Sequence, residues 1–245
     1  MDRNFKLTIE YDGTDYHGWQ RQAFDNTLQA EIEKALAIIN RGPTLLLGAG
    51  RTDAGVHAFG QVAHFHCDTR LSPLDFQNAL NGLLPKDIVI KECSEACEGF
   101  HSRFDAKGKI YQYRIYNTPI PSALFRQYSW HIRKKLDTGA MEKAAEHLLG
   151  IHDFAAFQGQ GSEVKNTVRH ILRAEFTFKK DLVFFEIQGN GFLRYMVRNI
   201  VGTLVEIGLG KKNPGDFHEI LKSKDRTRAG ATAPALGLFL MKVLY

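Results

Sequence analysis

Arg51, Asp53 and His57 stand close together in a segment framed by glycines, Gly48-Ala49-Gly50-Arg51-Thr52-Asp53-Ala54-Gly55-Val56-His57. Glycine lets a backbone take positive φ and approach a ligand closely. A cation two residues from a carboxylate favours its ionised form, and an ionised carboxylate held in place can act as nucleophile or base. The same pair also suits a tight turn without chemistry, since aspartate often bonds its own backbone.

Other chemistries fit the chain less well. Gly48-Ala49-Gly50 lacks the third glycine of a dinucleotide fingerprint, and Gly208-Leu209-Gly210-Lys211-Lys212 lacks the spacing and Ser/Thr of a phosphate-binding loop. There is no HExxH pair and no G-x-S-x-G elbow. His64, His66, Cys67, Cys93, Cys97 and His101 lack the spacing of a zinc site, so packed or surface positions are expected and no metal.

Around the loop the pattern is regular. Phe5, Leu7, Ile9 and Tyr11 alternate with polar residues, which predicts a half-buried strand. Leu28, Ile32, Leu36 and Ile39 recur at helical spacing, with Asn26 or Thr27 as cap and Gln29 placed for a capping box to Asn26. Residues 44–47 and 60–67 read as strands on either side of the loop. Ser72-Pro73 opens a helix with Phe76, Ala79, Leu80 and Leu83 on one face, and 88–90 closes the set as a strand.

The order βαββαβ then recurs. A strand spans 109–117, and Asp137 caps a helix carrying Met141, Ala145 and Leu148 that ends at Gly150. A hairpin joins 169–178 to 182–188 across Lys180-Asp181. An apolar helix from Phe192 to Ile207 places Arg194 and Arg198 on one face. A short helix after Pro214 and a strand over 238–243 complete the order. Two such units, 1–105 and 106–245, imply an α+β fold: one mainly antiparallel sheet with helices on one face and a cleft on the other.

The net charge of +5 is unevenly spread. The first 105 residues hold 10 basic and 15 acidic side chains, the remainder 22 and 12, so the parts carry −5 and +10. Lys134, Lys135, Lys165, Arg169, Lys179, Lys180, Lys211 and Lys212 contribute to the second, an excess that suits a phosphate-rich partner. No apolar run approaches the roughly 18 residues a membrane span needs. Three cysteines in a long chain argue for reduced thiols in a cytoplasm.

The run Gly50 to Ala58 resembles the signature of the tRNA pseudouridine synthase A (TruA) family. Three further segments match it in order: near the start, Tyr11-Asp12-Gly13 with Gly18-Trp19-Gln20-Arg21-Gln22; midway, Phe100-His101-Ser102-Arg103-Phe104 leading to Tyr111-Gln112-Tyr113; and late, Met196-Val197-Arg198-Asn199-Ile200-Val201-Gly202 with Lys224-Asp225-Arg226 through Ala231-Thr232-Ala233-Pro234. The resemblance implies a cofactor-free isomerase, a homodimer that places tRNA across both subunits. It implies conversion of uridines 38, 39 and 40 in the anticodon stem-loop to pseudouridine. Asp53 aligns with the essential aspartate, which either attacks C1′ or abstracts a ribose proton. Tyr111 aligns with the tyrosine that stacks on the target base, Arg198 with the arginine that pairs with the carboxylate, and Arg51 with a residue expected to contact RNA. Tyr195 falls at a position that varies in the family, so no role is assigned to it.

The main alternative is a non-catalytic RNA-binding module, because βαββαβ is also the order of the RRM. Phe59, Gly60 and Val62 fit part of that pattern, but His57 and Gln61 stand where it wants a basic and an aromatic residue. A hydrolytic nucleosidase would call for a second carboxylate or a metal.

Overall fold

The computed structural model describes every residue except Met1, Phe24, Ser162, Glu163 and Lys165, so Lys165 of the basic group lies outside the described residues. The elements follow as β1 (Asp2–Tyr11), α1 (Leu28–Asn40), β2 (Leu47–Gly48), β3 (His57–Asp68), α2 (Pro73–Leu83), β4 (Ile88–Ala96), β5 (Gly108–Asn117), β6 (Trp130–Ile132), α3 (Thr138–Ala145), β7 (Gly150–Asp153), β8 (Val168–Lys179), β9 (Leu182–Gly189), α4 (Met196–Gly208), α5 (Pro214–Ser223) and β10 (Leu238–Leu244). This is an α+β fold with mainly antiparallel pairing. By contact it divides into two compact units, Met1–Lys107 with Phe239–Tyr245, and Gly108–Leu238.

In the first unit the strand order is β4-β1-β3-β10, with β2 also on β3. The alternation of β1 does what it implies: Phe5, Leu7, Ile9 and Tyr11 are buried. Phe5 stacks on Phe65 of β3 and meets Phe76 of α2, tying helix to sheet. β10 runs parallel to β3, Phe239 opposite His57 and Leu240 opposite Ala58. Ser72, which the sequence places at the start of this helix, caps α2 through a capping box with Asp75.

Three local expectations are corrected. Neither Asn26 nor Gln29 forms a capping box on α1; Thr27 is the cap residue and makes no side-chain cap bond. The first N–H groups instead reach the carbonyls of Gly18 and Trp19, from Leu28 at 3.2 Å and Gln29 at 3.0 Å. The loop just upstream in the chain thus satisfies the orphan donors that a cap would otherwise take. Leu83 turns outward at the end of α2, while Leu84 is buried. Residues 44–46 stay outside the strand, which begins at Leu47.

In the second unit β5-β9-β8-β7 follow one another, with β6 parallel to β5. The β8–β9 hairpin turns at Lys180 with φ 52°. β6 and β7 are three and four residues long, too short for an alternation to register. Gly150 opens β7, α3 having passed at Ala145 into a single 3₁₀ turn. α4 starts at Met196, so Arg194 lies in the preceding turn and shares no helical face with Arg198. Every other residue of α4 is buried except Arg198 and Glu206. Among the described residues no helix is long and apolar enough to cross a membrane.

Candidate active site

The loop between β2 and β3 is held from several directions within the first unit. Ala49 N–H donates to the Val62 carbonyl at 2.7 Å, and Gln61 Nε2 donates to the Gly50 carbonyl at 2.9 Å. Trp19 N–H donates to the Thr52 carbonyl, Val56 N–H to the Asp53 carbonyl and Gly55 N–H to the Tyr16 carbonyl. Thr52 is buried, its hydroxyl 2.8 Å from that of Tyr11. Burial holds the Tyr11 phenol well above its ordinary pKa, so this contact stays neutral.

With Thr52 turned inward, its neighbours face the other way: Arg51 is exposed and Asp53 half-buried. The early segment from Tyr11 to Trp19 is therefore a mould for this loop. Its tightest point is Gly18, at φ 92°, where a Cβ would sit 2.6 Å from the Thr52 carbonyl oxygen. His57 closes the loop as part of the scaffold. It is buried, stacked on Phe239 at 4.7 Å, with Nδ1 3.1 Å from Gly13 N–H and 3.0 Å from Asp12 Oδ1.

Within the second unit Tyr111 lies on β5 opposite Ile187, 8% exposed, its ring edge-on to Phe192 at 5.1 Å. Two residues along the same face, Tyr113 is fully buried and its hydroxyl donates to the Pro234 carbonyl at 2.7 Å. Burial raises the Tyr113 pKa, and the charge of Arg198 opposes that rise.

Arg198 is the third residue of α4, and its Nε donates to the Ala233 carbonyl at 2.7 Å. Its guanidinium lies 4.9 Å from the centre of the Tyr195 ring, where Arg194 also sits at 4.9 Å. Tyr195 holds φ 61°, a left-handed backbone rarely adopted by an aromatic residue.

The segment that supplies Ala233 is fastened across α4. Asn199, wholly buried, accepts at Oδ1 from Arg226 Nη2 (3.0 Å) and Thr232 Oγ1 (2.6 Å), and donates from Nδ2 to the Phe157 carbonyl. One turn on, Thr203 receives Gly230 N–H at 2.8 Å, while Arg226 Nη1 donates to the Gly230 carbonyl. The crossing is so close at Gly202 that a Cβ there would overlap the Ala231 carbonyl. Asn199, Thr203, Arg226, Thr232 and Tyr195 thus brace Arg198, a role their sequence neighbourhood does not state. Asn and Thr spaced i, i+4 inside an apolar helix were the available sign.

The histidine and cysteine residues weighed as ligands have other surroundings. His64 Nδ1 faces Ser102 Oγ at 2.9 Å; burial, with His101 and His66 nearby, lowers its pKa to about 4. Burial pushes Cys67 up to about 11 and Cys93 up to about 12, keeping both as thiols. Among the described residues no three His, Cys, Asp or Glu side chains are grouped to hold a metal.

A family model described as tRNA pseudouridine synthase matches residues 7–105 and 144–245. The chain is 50% identical over 243 residues to tRNA pseudouridine synthase A of Acetivibrio thermocellus, covering 99% of this chain and all of the relative. It is 49% identical over 244 residues to the protein of that name from Ruminiclostridium cellulolyticum, with the same coverage. It is 45% identical over 247 residues to tRNA pseudouridine synthase A 2 of Clostridium tetani, over the whole of both chains. An aspartate loop cradled by the segment from Tyr11 to Trp19, an arginine braced on an apolar helix and likeness along the whole chain agree: this chain belongs to the tRNA pseudouridine synthase A family, a family of isomerases.

Proposed function

We propose that this chain converts uridines at positions 38, 39 and 40 of the tRNA anticodon stem-loop to pseudouridine, with Asp53 as catalytic residue and Tyr111, Arg198 and Arg51 serving the same uridine. The N1–C1′ bond breaks, the uracil turns, C5 joins C1′, and the proton leaving C5 is balanced by one gained at N1. No atom is added and no electrons are gained or lost overall, so the reaction consumes no co-reactant. Whether the Asp53 carboxylate attacks C1′ or takes a ribose proton, it must be ionised and positioned. In this reading a neighbouring cation serves the first need, and the bonded loop serves the second.

A base within a stem must first be extruded, at a cost of a few kcal/mol. Stacking on the Tyr111 ring offsets about 1–3 kcal/mol of that. Arg51, exposed beside Asp53, is suited to a phosphate of the displaced nucleotide. Exposed Lys134, Lys135, Lys179, Lys180 and Lys211 extend the positive field; Lys212 is drawn to Glu206 at 3.6 Å, and Arg169 donates to the carbonyls of Asn166 and Val168. The working form in this reading is a cytoplasmic homodimer.

The observation that carries the reading is the setting of Asp53, half-exposed on a loop whose flanking backbone groups are bonded to the first unit. The test uses tRNA tritiated at uracil C5. Wild type releases tritium to water, and Asp53→Ala binds tRNA but releases none. Release by Asp53→Ala at the wild-type rate refutes the assignment.

A further inference from the structure

One matched segment, Phe100 to Phe104, takes no part in the chemistry above, yet its conformation is tightly specified. His101 N–H donates to Asp105 Oδ2 at 2.8 Å and Asp105 N–H returns to the His101 carbonyl at 3.1 Å, closing a short turn. Inside it the N–H groups of Arg103 and Phe104 both point at His101 Nδ1, at 3.1 and 3.3 Å. Nδ1 is therefore the acceptor at the centre of the turn.

Ser102 roots the turn in the first unit. It is wholly buried; its hydroxyl donates to the Leu47 carbonyl at 2.6 Å, its N–H to His64 Nδ1 at 3.2 Å, and its carbonyl accepts from the Tyr245 hydroxyl at 2.7 Å. Leu47 begins β2, the strand that leads into Gly50, Arg51 and Asp53. The turn is thus fixed to the same backbone that carries the catalytic loop.

What this rigid turn presents is an aromatic ring in solvent. Phe104 is 76% exposed, against 44% for Phe178, the next most exposed phenylalanine among the described residues. The Phe104 ring lies 4.2 Å from that of His101, and the Arg103 guanidinium is 5.8 Å from its centre. Arg103 and Lys107 are exposed beside it; the nearby carboxylate, Asp105, is engaged by His101. A phenylalanine left in water on an ordered, cation-flanked turn matches the way proteins hold unpaired nucleotides, with a ring for the base and cations for the phosphates.

We infer that the turn 101–105 is an RNA contact, in which Phe104 stacks on an unpaired base of the tRNA and Arg103 engages an adjoining phosphate. The inference rests on the proposed tRNA activity. Because the ring is exposed, its replacement is expected to leave the fold intact and to act on binding.

The experiment measures tRNA affinity by filter binding, together with tritium release, for wild type, Phe104→Ala, Phe104→Leu and Phe104→Trp. Losing one stacked base weakens binding about 5- to 150-fold. Phe104→Ala and Phe104→Leu are expected to show that loss with kcat nearly kept, while Phe104→Trp, which retains an aromatic face, binds as wild type does. Wild-type affinity in Phe104→Ala overturns the inference. So does equal weakening in Phe104→Trp, or a change in oligomeric state without a change in tRNA affinity, which marks a protein contact instead. If wild type itself releases no tritium, the proposed activity fails, whereas an active wild type with an unaffected Phe104→Ala removes the stacking contact alone.

Discussion

Arg198 and Ala233 exchange two hydrogen bonds: the arginine Nε donates to the alanine carbonyl at 2.7 Å, and the alanine N–H donates to the arginine carbonyl at 3.1 Å. A side chain and a backbone far apart in sequence thereby fix each other. The cost of a loose Ala233 segment should appear in catalysis. Thr232→Val, which removes the 2.6 Å bond to Asn199, is expected to lower kcat by about 10-fold while tRNA affinity stays within about 2-fold. Single-turnover tritium release against filter binding separates the two.

Gly202 sets the limit of that approach. An added methyl meets the Ala231 carbonyl, so helix and segment must separate. Gly202→Ala is expected to lose about 2–3 kcal/mol of stability. Urea unfolding followed by circular dichroism measures it; an unchanged midpoint would contradict the tight crossing.

Tyr195 sits under the guanidinium it helps orient, and its left-handed backbone is retained despite the strain. Tyr195→Phe keeps the ring and should keep kcat within about 2-fold. Tyr195→Ala should lower kcat by about 5-fold with KM little changed, the scale of one cation–π contact.

Protonation of His64 opposes folding. Its pKa falls from 6.5 to about 4 on folding, chiefly because burial disfavours the charged imidazole. The unfolded chain therefore binds the extra proton between about pH 6.5 and 4. Stability from this site is complete above pH 6.5 and declines as pH falls through that window. His64→Asn keeps an acceptor for Ser102 and removes the titration. Its loss of stability between pH 7 and pH 5, measured by urea midpoint, is expected to be smaller than that of wild type.

The basic second part predicts a steep salt dependence. Log affinity for tRNA should fall linearly with log salt, and Lys179→Ala with Lys180→Ala should lessen the slope by about 1–2. A flat response in wild type would remove phosphate contacts from the account.

Much of the frame was legible because it depends on local periodicity. The alternation of Phe5, Leu7, Ile9 and Tyr11, the capping residues Ser72 and Asp137, and the Lys180 turn each place an element from a few neighbouring residues. The glycine-framed run at Asp53 was equally plain, being contiguous. β6 and β7 were not, since three or four residues carry no period and their pairing comes from partners elsewhere.

The cap of α1 shows the same boundary. Asn26 and Gln29 had the right types and spacing for a capping box, but the Gly18–Trp19 backbone of the loop just upstream takes the bonds. By itself the sequence determined the longer strands and helices, the charge division and the contiguous aspartate loop, because each depends on residues near one another along the chain. Only the tertiary structure decided that Tyr11 and Trp19 brace Thr52, that Asn199, Arg226 and Thr232 hold Ala233 against Arg198, and that Ser102 roots an exposed Phe104. Those are hydrogen bonds and close approaches between distant segments, and local propensity carries no information about which buried polar group will find which partner.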